Sequence, residues 1–160
     1  MASAVLRVDG EVERPLALGF EDLARLDQAF QVGDVSRIDP KRQGDAVRLA
    51  GLLEQAGPRP DAQYLTLHSS SDDFHASIPL AAVRSIAILI YRLDGGPLPA
   101  AAGGPIRFFI PDFAACHTSE IDECANVKFV DRIELSRERG RDNRPHDEQQ
   151  HAELHERQQG

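Results

Sequence analysis

A cluster of hydroxyl, carboxylate and imidazole side chains interrupts an otherwise apolar stretch, AQYLTLHSSSDDFHASIPL, at residues 62–80. These side chains exchange protons and hydrogen bonds near neutral pH and are common in ligand sites. β-Forming residues on both sides predict two short strands, 64–67 and 74–78, with most of the cluster on the loop between them. Loops on a rigid scaffold often carry function, so a ligand site and a plain polar hairpin loop are both open. The cluster consists of His68, Ser69, Ser70, Ser71, Asp72, Asp73 and His75.

A second group of reactive side chains, Cys116, His117 and Cys124, lies within nine residues of sequence. Two thiolates and an imidazole supply three ligands of the kind that zinc and copper prefer. The C-H-x6-C spacing is looser than that of known zinc motifs, so two reduced cysteines without a metal are the alternative. His151 and His155 are spaced to share one face of a helix, which indicates adventitious metal affinity.

Composition and charge exclude several classes of function. The chain has 160 residues, 41% of them hydrophobic, and a formal net charge of -8. Without a basic stripe, nucleic acid is not an expected partner, and no apolar run is long enough to span a membrane. No secretory signal is recognisable at the N-terminus, and two cysteines do not form a disulfide framework. We therefore expect a cytoplasmic protein whose partner is a small molecule or a cofactor.

Hydrophobic periodicity predicts a mixture of short strands and short helices, which is an α+β domain. The polar segment 38–45 reads as a loop, and 86–93 reads as a strand buried on both faces. After residue 136 the composition becomes strongly polar, so we predict a domain at 1–136 and a disordered, histidine-containing tail at 137–160. Strands are predicted at 5–8, 16–18, 30–35, 64–67, 74–78, 86–93, 106–110 and 127–135, and helices at 20–26, 49–56 and 80–84.

The order of several motifs resembles the molybdopterin-binding domain of the sulfite oxidase family. The matching segments are LRVDGEVERPLAL, FEDLARL, VRLAGLLEQAGP, YLTLHSSSDDFHASIPL, ILIYRLDGGPLPAAAGGPIRFFIPD and VKFVDRIEL. Together they run from residue 6 to residue 135. The resemblance implies an α+β fold of mixed sheets and short helices. It also implies a cofactor, molybdenum on a pterin dithiolene, that transfers oxygen atoms or electrons.

One family feature is missing from the sequence. The resemblance implies a cysteine thiolate that binds molybdenum and begins a motif of the type Cys-x-Gly-Asn-Arg. Here the corresponding segment is VGDVSR, residues 32–37, which contains no cysteine. Asp34 lies nearest to the lost position, and a hard carboxylate is a poor substitute for a soft thiolate on this metal.

The resemblance also implies a set of cofactor-binding residues. Cationic side chains in this set are suited to a pterin phosphate or another anion, and solvated surface charge is the alternative interpretation. The sequence thus leaves three hypotheses: a degenerate domain that binds a cofactor or small anion, an active molybdopterin-dependent oxidoreductase with Asp34 or Cys116 as altered ligand, and a zinc or copper protein. The implied pocket residues are Arg37, His68, Ser69, Ser71, His75, Arg107 and Lys128.

Overall fold

The computed structural model describes residues 4–111 and 126–144. Within these ranges the chain forms two mixed or antiparallel sheets and three short α-helices, which confirms the predicted α+β class. The strands are β1 Leu6–Gly10, β2 Leu16–Leu18, β3 Gln31–Val32, β4 Asp45–Arg48, β5 Tyr64–Ser69, β6 Phe74–Pro79, β7 Ile88–Leu93, β8 Gly96–Pro97, β9 Arg107–Phe109 and β10 Arg132–Ser136. The helices are α1 Phe20–Ala24, α2 Leu49–Ala56 and α3 Leu80–Val83.

The first sheet has the order β2-β1-β10-β5-β6. Its central pair, β1 and β10, is parallel, and the other neighbours are antiparallel. Side chains alternate between the two faces of a strand, and Leu6, Val8, Ile133 and Leu135 are buried on the same face. The opposite face therefore carries the polar residues that come between them in sequence.

The second sheet has the order β3-β4-β7-β8, with β9 pairing against the first half of β7. Apolar residues cover both faces of this sheet. Leu89, Tyr91 and Phe108 belong to the main core, whereas Ile90 and Phe109 belong to a smaller apolar cluster. Burial on both faces explains why β7 reads as a nearly continuous apolar run.

The main core fills the space between the two sheets. It combines buried residues of β1, β5 and β10 with residues of β4, β7 and β9. Helix α2 closes the core with Leu49, Leu52 and Leu53, all of which are buried on its apolar face. Gly57 ends this helix in a left-handed conformation, as the sequence predicts.

Several predicted boundaries are wrong. The polar loop of the β5–β6 hairpin is shorter than predicted, because His68 and Ser69 are still paired with His75 and Phe74 in the sheet. Strand β4 begins at the end of the predicted loop 38–45. Its buried residues are only the two neighbours Ala46 and Val47, and this hydrophobic pattern is too short to predict a strand. The closing strand begins at Arg132 instead of residue 127.

The first eight residues of the predicted tail, 137–144, follow the edge of β6; we call this segment the strap. The Asn143 N–H donates to the His75 carbonyl at 2.9 Å, and the Gly140 N–H donates to the Ser77 hydroxyl at 2.8 Å. The Ser77 N–H in turn donates to the Asp142 carboxylate at 3.0 Å. Composition misses such a segment because it is held by polar bonds rather than by apolar burial. Residues 145–160 lie outside the described ranges.

Asp142 and Arg144 form a buried ion pair that fixes the strap. Their closest atoms, Oδ2 and the guanidinium nitrogen, are 2.7 Å apart, and each side chain is 5% exposed. Burial disfavours the charged carboxylate, but the hydrogen bonds from Arg144 and from the Ser77 backbone outweigh it and lower the pKa of Asp142 to about 2. A carboxyl whose pKa is lowered by folding stabilises the protein above its unfolded pKa and loses that effect in acid.

We expect Asp142→Asn to lower the free energy of unfolding by about 2 kcal/mol near neutral pH. The difference from the wild type should shrink as the pH falls from about 4 to about 2, because the native carboxylate then takes up its proton. Urea unfolding at a series of pH values measures this effect. Asp72→Asn, at an exposed turn carboxylate, is the control and should change little. If the difference in the free energy of unfolding between Asp142→Asn and the wild type stays constant down to about pH 2, the result contradicts the charge argument.

Candidate functional site

The seven predicted pocket residues lie on several different elements of the fold. Arg37 lies on a short 3-10 helix, Val35–Arg37, at the surface. His68 and His75 pair with each other on the hairpin β5–β6, whereas Arg107 begins β9. Ser71 lies exposed in the hairpin turn. The described part of the chain therefore holds two separate polar arrangements, a histidine pair and a cationic cluster.

The segment that replaces the family's cysteine motif is folded around Asp34. This residue has a left-handed backbone, φ 54°, and its carboxylate accepts hydrogen bonds from the Ser36 N–H at 3.2 Å and from the Ser36 hydroxyl. Arg37 extends into solvent, with its side chain 83% exposed and its Nε 3.8 Å from the Asp34 carboxylate. The carboxylate of Asp34 is thus occupied as a helix cap.

The two histidines lie side by side with a carboxylate at each end. His68 Nδ1 and His75 Nδ1 are 2.7 Å apart, and the ring planes are inclined by 70°. His68 Nε2 is 3.0 Å from Glu134 Oε1, and His75 Nε2 is 3.0 Å from Asp73 Oδ1. The hydrogen bond with His75, together with Arg141, lowers the pKa of Asp73. Each imidazole is thus hydrogen-bonded at both nitrogens.

Ser69 belongs to the other face of β5. It is fully buried, and its Oγ has no hydrogen-bond partner among the residues that the structure describes. Because side chains alternate along a strand, Ser69 and its cross-strand neighbour Phe74 face the core, whereas His68 and His75 face away from it. The sheet therefore separates Ser69 from the two histidines with which the sequence groups it.

The cationic cluster consists of Arg42, Arg107 and Lys128. Arg107 is half-buried; its terminal nitrogen donates to the Ala102 carbonyl at 3.3 Å, but its buried Nε has no hydrogen-bond partner within residues 4–111 and 126–144. In the same ranges the buried Nε of Arg42 has none either, and an oxygen of Asp39 is 3.9 Å away, beyond hydrogen-bond distance. Buried donors normally find partners, so both guanidinium groups have an incomplete set of hydrogen bonds within the described part of the chain.

Charge repulsion is built into this cluster. Burial, and then the neighbouring charge of Arg42, lower the pKa of Arg107 to about 10. The Arg42 guanidinium also lies 5.3 Å from the centre of the Phe109 ring, which holds it in place by a cation–π contact. Two guanidinium groups in a partly desolvated position are stabilised by any anion that lies between them.

Gly103 allows Arg107 and Lys128 to approach each other closely, because it has no side chain between them. A side chain at this position would place its first carbon 3.1 Å from Arg107 Cδ and 3.4 Å from Lys128 Cγ. The Gly103 backbone is left-handed, φ 97°, and its carbonyl accepts from the Phe129 N–H at 2.8 Å. That bond fixes the segment with exposed Lys128 next to Arg107. Sequence reasoning finds Arg107 and Lys128 but misses Arg42, which lies in a polar loop without any motif.

The predicted metal ligands Cys116, His117 and Cys124 lie outside the described residues, as do His151 and His155. Within residues 4–111 and 126–144, no three His, Cys, Asp or Glu side chains are grouped so that they could hold a metal ion. Zinc and copper therefore gain no support from this part of the molecule. In the same ranges no helix is long and apolar enough to cross a membrane.

Comparison with known proteins resolves the family. The sequence profile described as "Oxidoreductase molybdopterin binding domain" matches residues 44–144. The chain belongs to this family. This molybdopterin-binding domain is also similar in structure to the sulfane dehydrogenase SoxCD from Paracoccus pantotrophus, with a TM-score of 0.59 and 22% sequence identity. The similarity covers 84% of this chain and 38% of that one, and it concerns the fold. A search of curated protein sequences finds no match.

The residues of this molybdopterin-binding domain fit one part of the cofactor better than the other. The phosphate of a pterin is an oxyanion, and the guanidinium groups of Arg42 and Arg107 with the ammonium of Lys128 suit it in charge. The resemblance implies a cysteine thiolate on molybdenum, but residues 32–37 contain no cysteine, and the carboxylate of Asp34 is bonded to Ser36. The described residues therefore fit the anionic end of the cofactor and not its metal.

Proposed function

We propose that this domain binds an anionic ligand, the phosphate of a molybdopterin or a similar small oxyanion, and that it has lost the metal chemistry of its family. The observation that carries the proposal is the pair of buried, unpartnered Nε atoms of Arg42 and Arg107 in the described structure. An oxyanion beside the two guanidinium groups neutralises the repulsion between them and can accept from their terminal N–H groups, so affinity depends on these two side chains.

The proposed loss of oxidoreductase activity follows from the ligand segment. Asp34 supports neither of the properties that a molybdenum thiolate provides, softness and freedom from other bonds. Without a thiolate from residues 32–37, this chain's contribution is to bind and orient the anionic group. Its own cations would hold the phosphate, and the apolar cluster around Phe109 would shield one side of it.

The test uses the full chain purified without a metal-affinity tag from a host that makes molybdopterin. Pterin fluorescence after oxidation and elemental analysis give the pterin and molybdenum content per protein molecule. We expect pterin to be retained with molybdenum well below it. Molybdenum equal to pterin would overturn the loss of metal binding and favour the alternative, an active oxidoreductase with Asp34 or Cys116 as ligand.

We expect Arg107→Gln to lower the affinity for inorganic pyrophosphate, the probe used in place of the pterin phosphate, about 10- to 100-fold, because it removes a charge-assisted hydrogen bond from a partly buried site. Arg42→Gln should have a similar effect, whereas Arg37→Gln, at an exposed side chain, is the matched control and should bind like the wild type. Titration with inorganic pyrophosphate, followed calorimetrically in low salt, measures the affinities. Equal binding by all three variants would place the anion elsewhere.

A further inference from the structure

In the described part of the chain, β6 lies at one end of the first sheet. Alternate residues of an edge strand point their N–H and C=O groups away from the sheet, where another strand can pair with them. In β6 these residues are His75 and Ser77, because the strap bonds their backbone groups. Between Phe74 and Ile78 the sequence contains no acidic residue, lysine, arginine or proline, the residue types that commonly protect such an edge. The edge of β6 is therefore protected by the strap and not by its own side chains.

The strap bonds all the backbone groups that His75 and Ser77 point outwards. The Asn143 N–H donates to the His75 carbonyl at 2.9 Å, and the Asn143 side-chain oxygen accepts from the His75 N–H at 2.7 Å. The Asp142 carboxylate accepts from the Ser77 N–H at 3.0 Å, and the Arg144 guanidinium donates to the Ser77 carbonyl at 3.3 Å. Only the first of these bonds joins backbone to backbone, so the strap closes the edge without continuing the sheet.

The strap lies closest to the hairpin β5–β6 at Gly140. The Gly140 N–H donates to the Ser77 hydroxyl at 2.8 Å, and the Thr66 hydroxyl donates to the same oxygen at 3.0 Å. Thr66 and Ser77 are both fully buried in this arrangement. A Cβ added at Gly140 would lie 2.4 Å from Thr66 Oγ1, which is too close for any real contact. Docking of the strap therefore requires a glycine at this position.

We propose that β6 is a pairing edge for a second copy of this chain and that the strap keeps this edge closed. Two copies of β6 can pair antiparallel about a twofold axis at Ala76, so that His75 of each copy lies opposite Ser77 of the other. In this register the opposed residues exchange both N–H···O bonds, and every backbone group that the strap now bonds finds a partner in the second copy. The first sheets of the two copies then form one continuous sheet.

The side chains of β6 are complementary to themselves in this register. Phe74 of one copy lies opposite Ile78 of the other on the core-facing side, and an aromatic residue opposite a β-branched one is a favourable cross-strand pair. His75 lies opposite Ser77 and not opposite its own copy, so no like charges face each other across the axis. This self-complementarity is the reason for choosing a second copy as the partner. The anion site lies on the other sheet, so either proposal can fail without the other.

Gly140→Ala in the full chain tests the proposal, because the added Cβ meets Thr66 and displaces the strap. Analytical ultracentrifugation over a concentration series measures association, and hydrogen exchange of the His75 and Ser77 amides reports what covers the edge. We expect the variant to dimerise with a dissociation constant at least about tenfold lower than that of any wild-type dimer. Protection of the two amides should rise with concentration in the variant and stay constant in the wild type. A variant that stays monomeric, or dimers that leave these two amides unprotected, would overturn the proposal.

The double variant Gly140→Ala/Thr66→Ala is the matched control. Removing Thr66 Oγ1 restores the space for the new Cβ, so the strap should dock again and the protein should associate no more than the wild type. Dimers as stable as those of Gly140→Ala would overturn the role of the strap. Asn143→Ala removes the acceptor of the His75 N–H without adding bulk, and it should also promote dimers. If circular dichroism shows that Gly140→Ala does not fold, the same measurements on Asn143→Ala decide.

Discussion

Phe108→Ala should lower the free energy of unfolding by about 3 to 5 kcal/mol. Phe108 is fully buried on β9 and belongs to the core that fills the space between the two sheets. Removing its ring leaves a cavity that strands of both sheets cannot close, because they are fixed by their own hydrogen bonds. Urea unfolding followed by circular dichroism measures the change.

Phe20→Ala is the matched control for this prediction. Phe20 is only partly buried at the edge of the same core, with its ring centre 5.7 Å from that of Tyr91. We expect it to cost roughly half as much as Phe108→Ala, since less apolar surface is lost from the core. Equal losses in the free energy of unfolding for both variants would contradict the position of Phe108 at the centre of the core.

The second large effect is expected for Gly10→Ala, which should destabilise the domain by about 3 kcal/mol. Gly10 ends β1 in a left-handed conformation, φ 88°, directly opposite Leu135 of β10. An added Cβ would lie 2.2 Å from the Leu135 carbonyl oxygen, a backbone atom that cannot move without separating the two strands. Thermal and urea unfolding measure the loss.

Gly95→Ala isolates the steric part of this effect. Gly95 has nearly the same backbone angle, φ 83°, but in the described part of the chain no heavy atom beyond its own sequence neighbours lies within 4 Å of the position of an added Cβ. We therefore expect a loss of only about 1 to 2 kcal/mol, which is the strain of the left-handed conformation alone. Equal losses in the free energy of unfolding for the two alanine variants would contradict the close contact between Gly10 and Leu135 of β10.

Strong local signals made much of this fold predictable. The bounds of α2 are the predicted ones because its apolar spacing and its terminal Gly57 agree with each other. β4 was missed because it has only four residues and gains its order by pairing with β7 across 40 residues of sequence. Such pairings carry no local pattern, and the parallel partnership of β1 with β10 is of the same kind.

The site was less predictable than the fold. Grouping residues by sequence placed His68 and Ser69 together, although alternation along β5 puts them on opposite faces of the sheet. Arg42 had no motif to mark it, and its importance comes from the distant Arg107. The absence of a cysteine from residues 32–37 is visible in the sequence. The choice between a degenerate and an active domain also depends on tertiary contacts, which the sequence does not show.

The position of β10 in the first sheet affects how the chain folds during its synthesis on the ribosome. β10 lies between β1 and β5, so the sheet stays in two pieces until residues 132–136 have been synthesised. Until then the nascent chain presents an unpaired edge on β1 and another on β5, both with apolar residues beside them. Folding of this sheet therefore has to wait for β10, and until then its exposed edges are sites that a chaperone can bind.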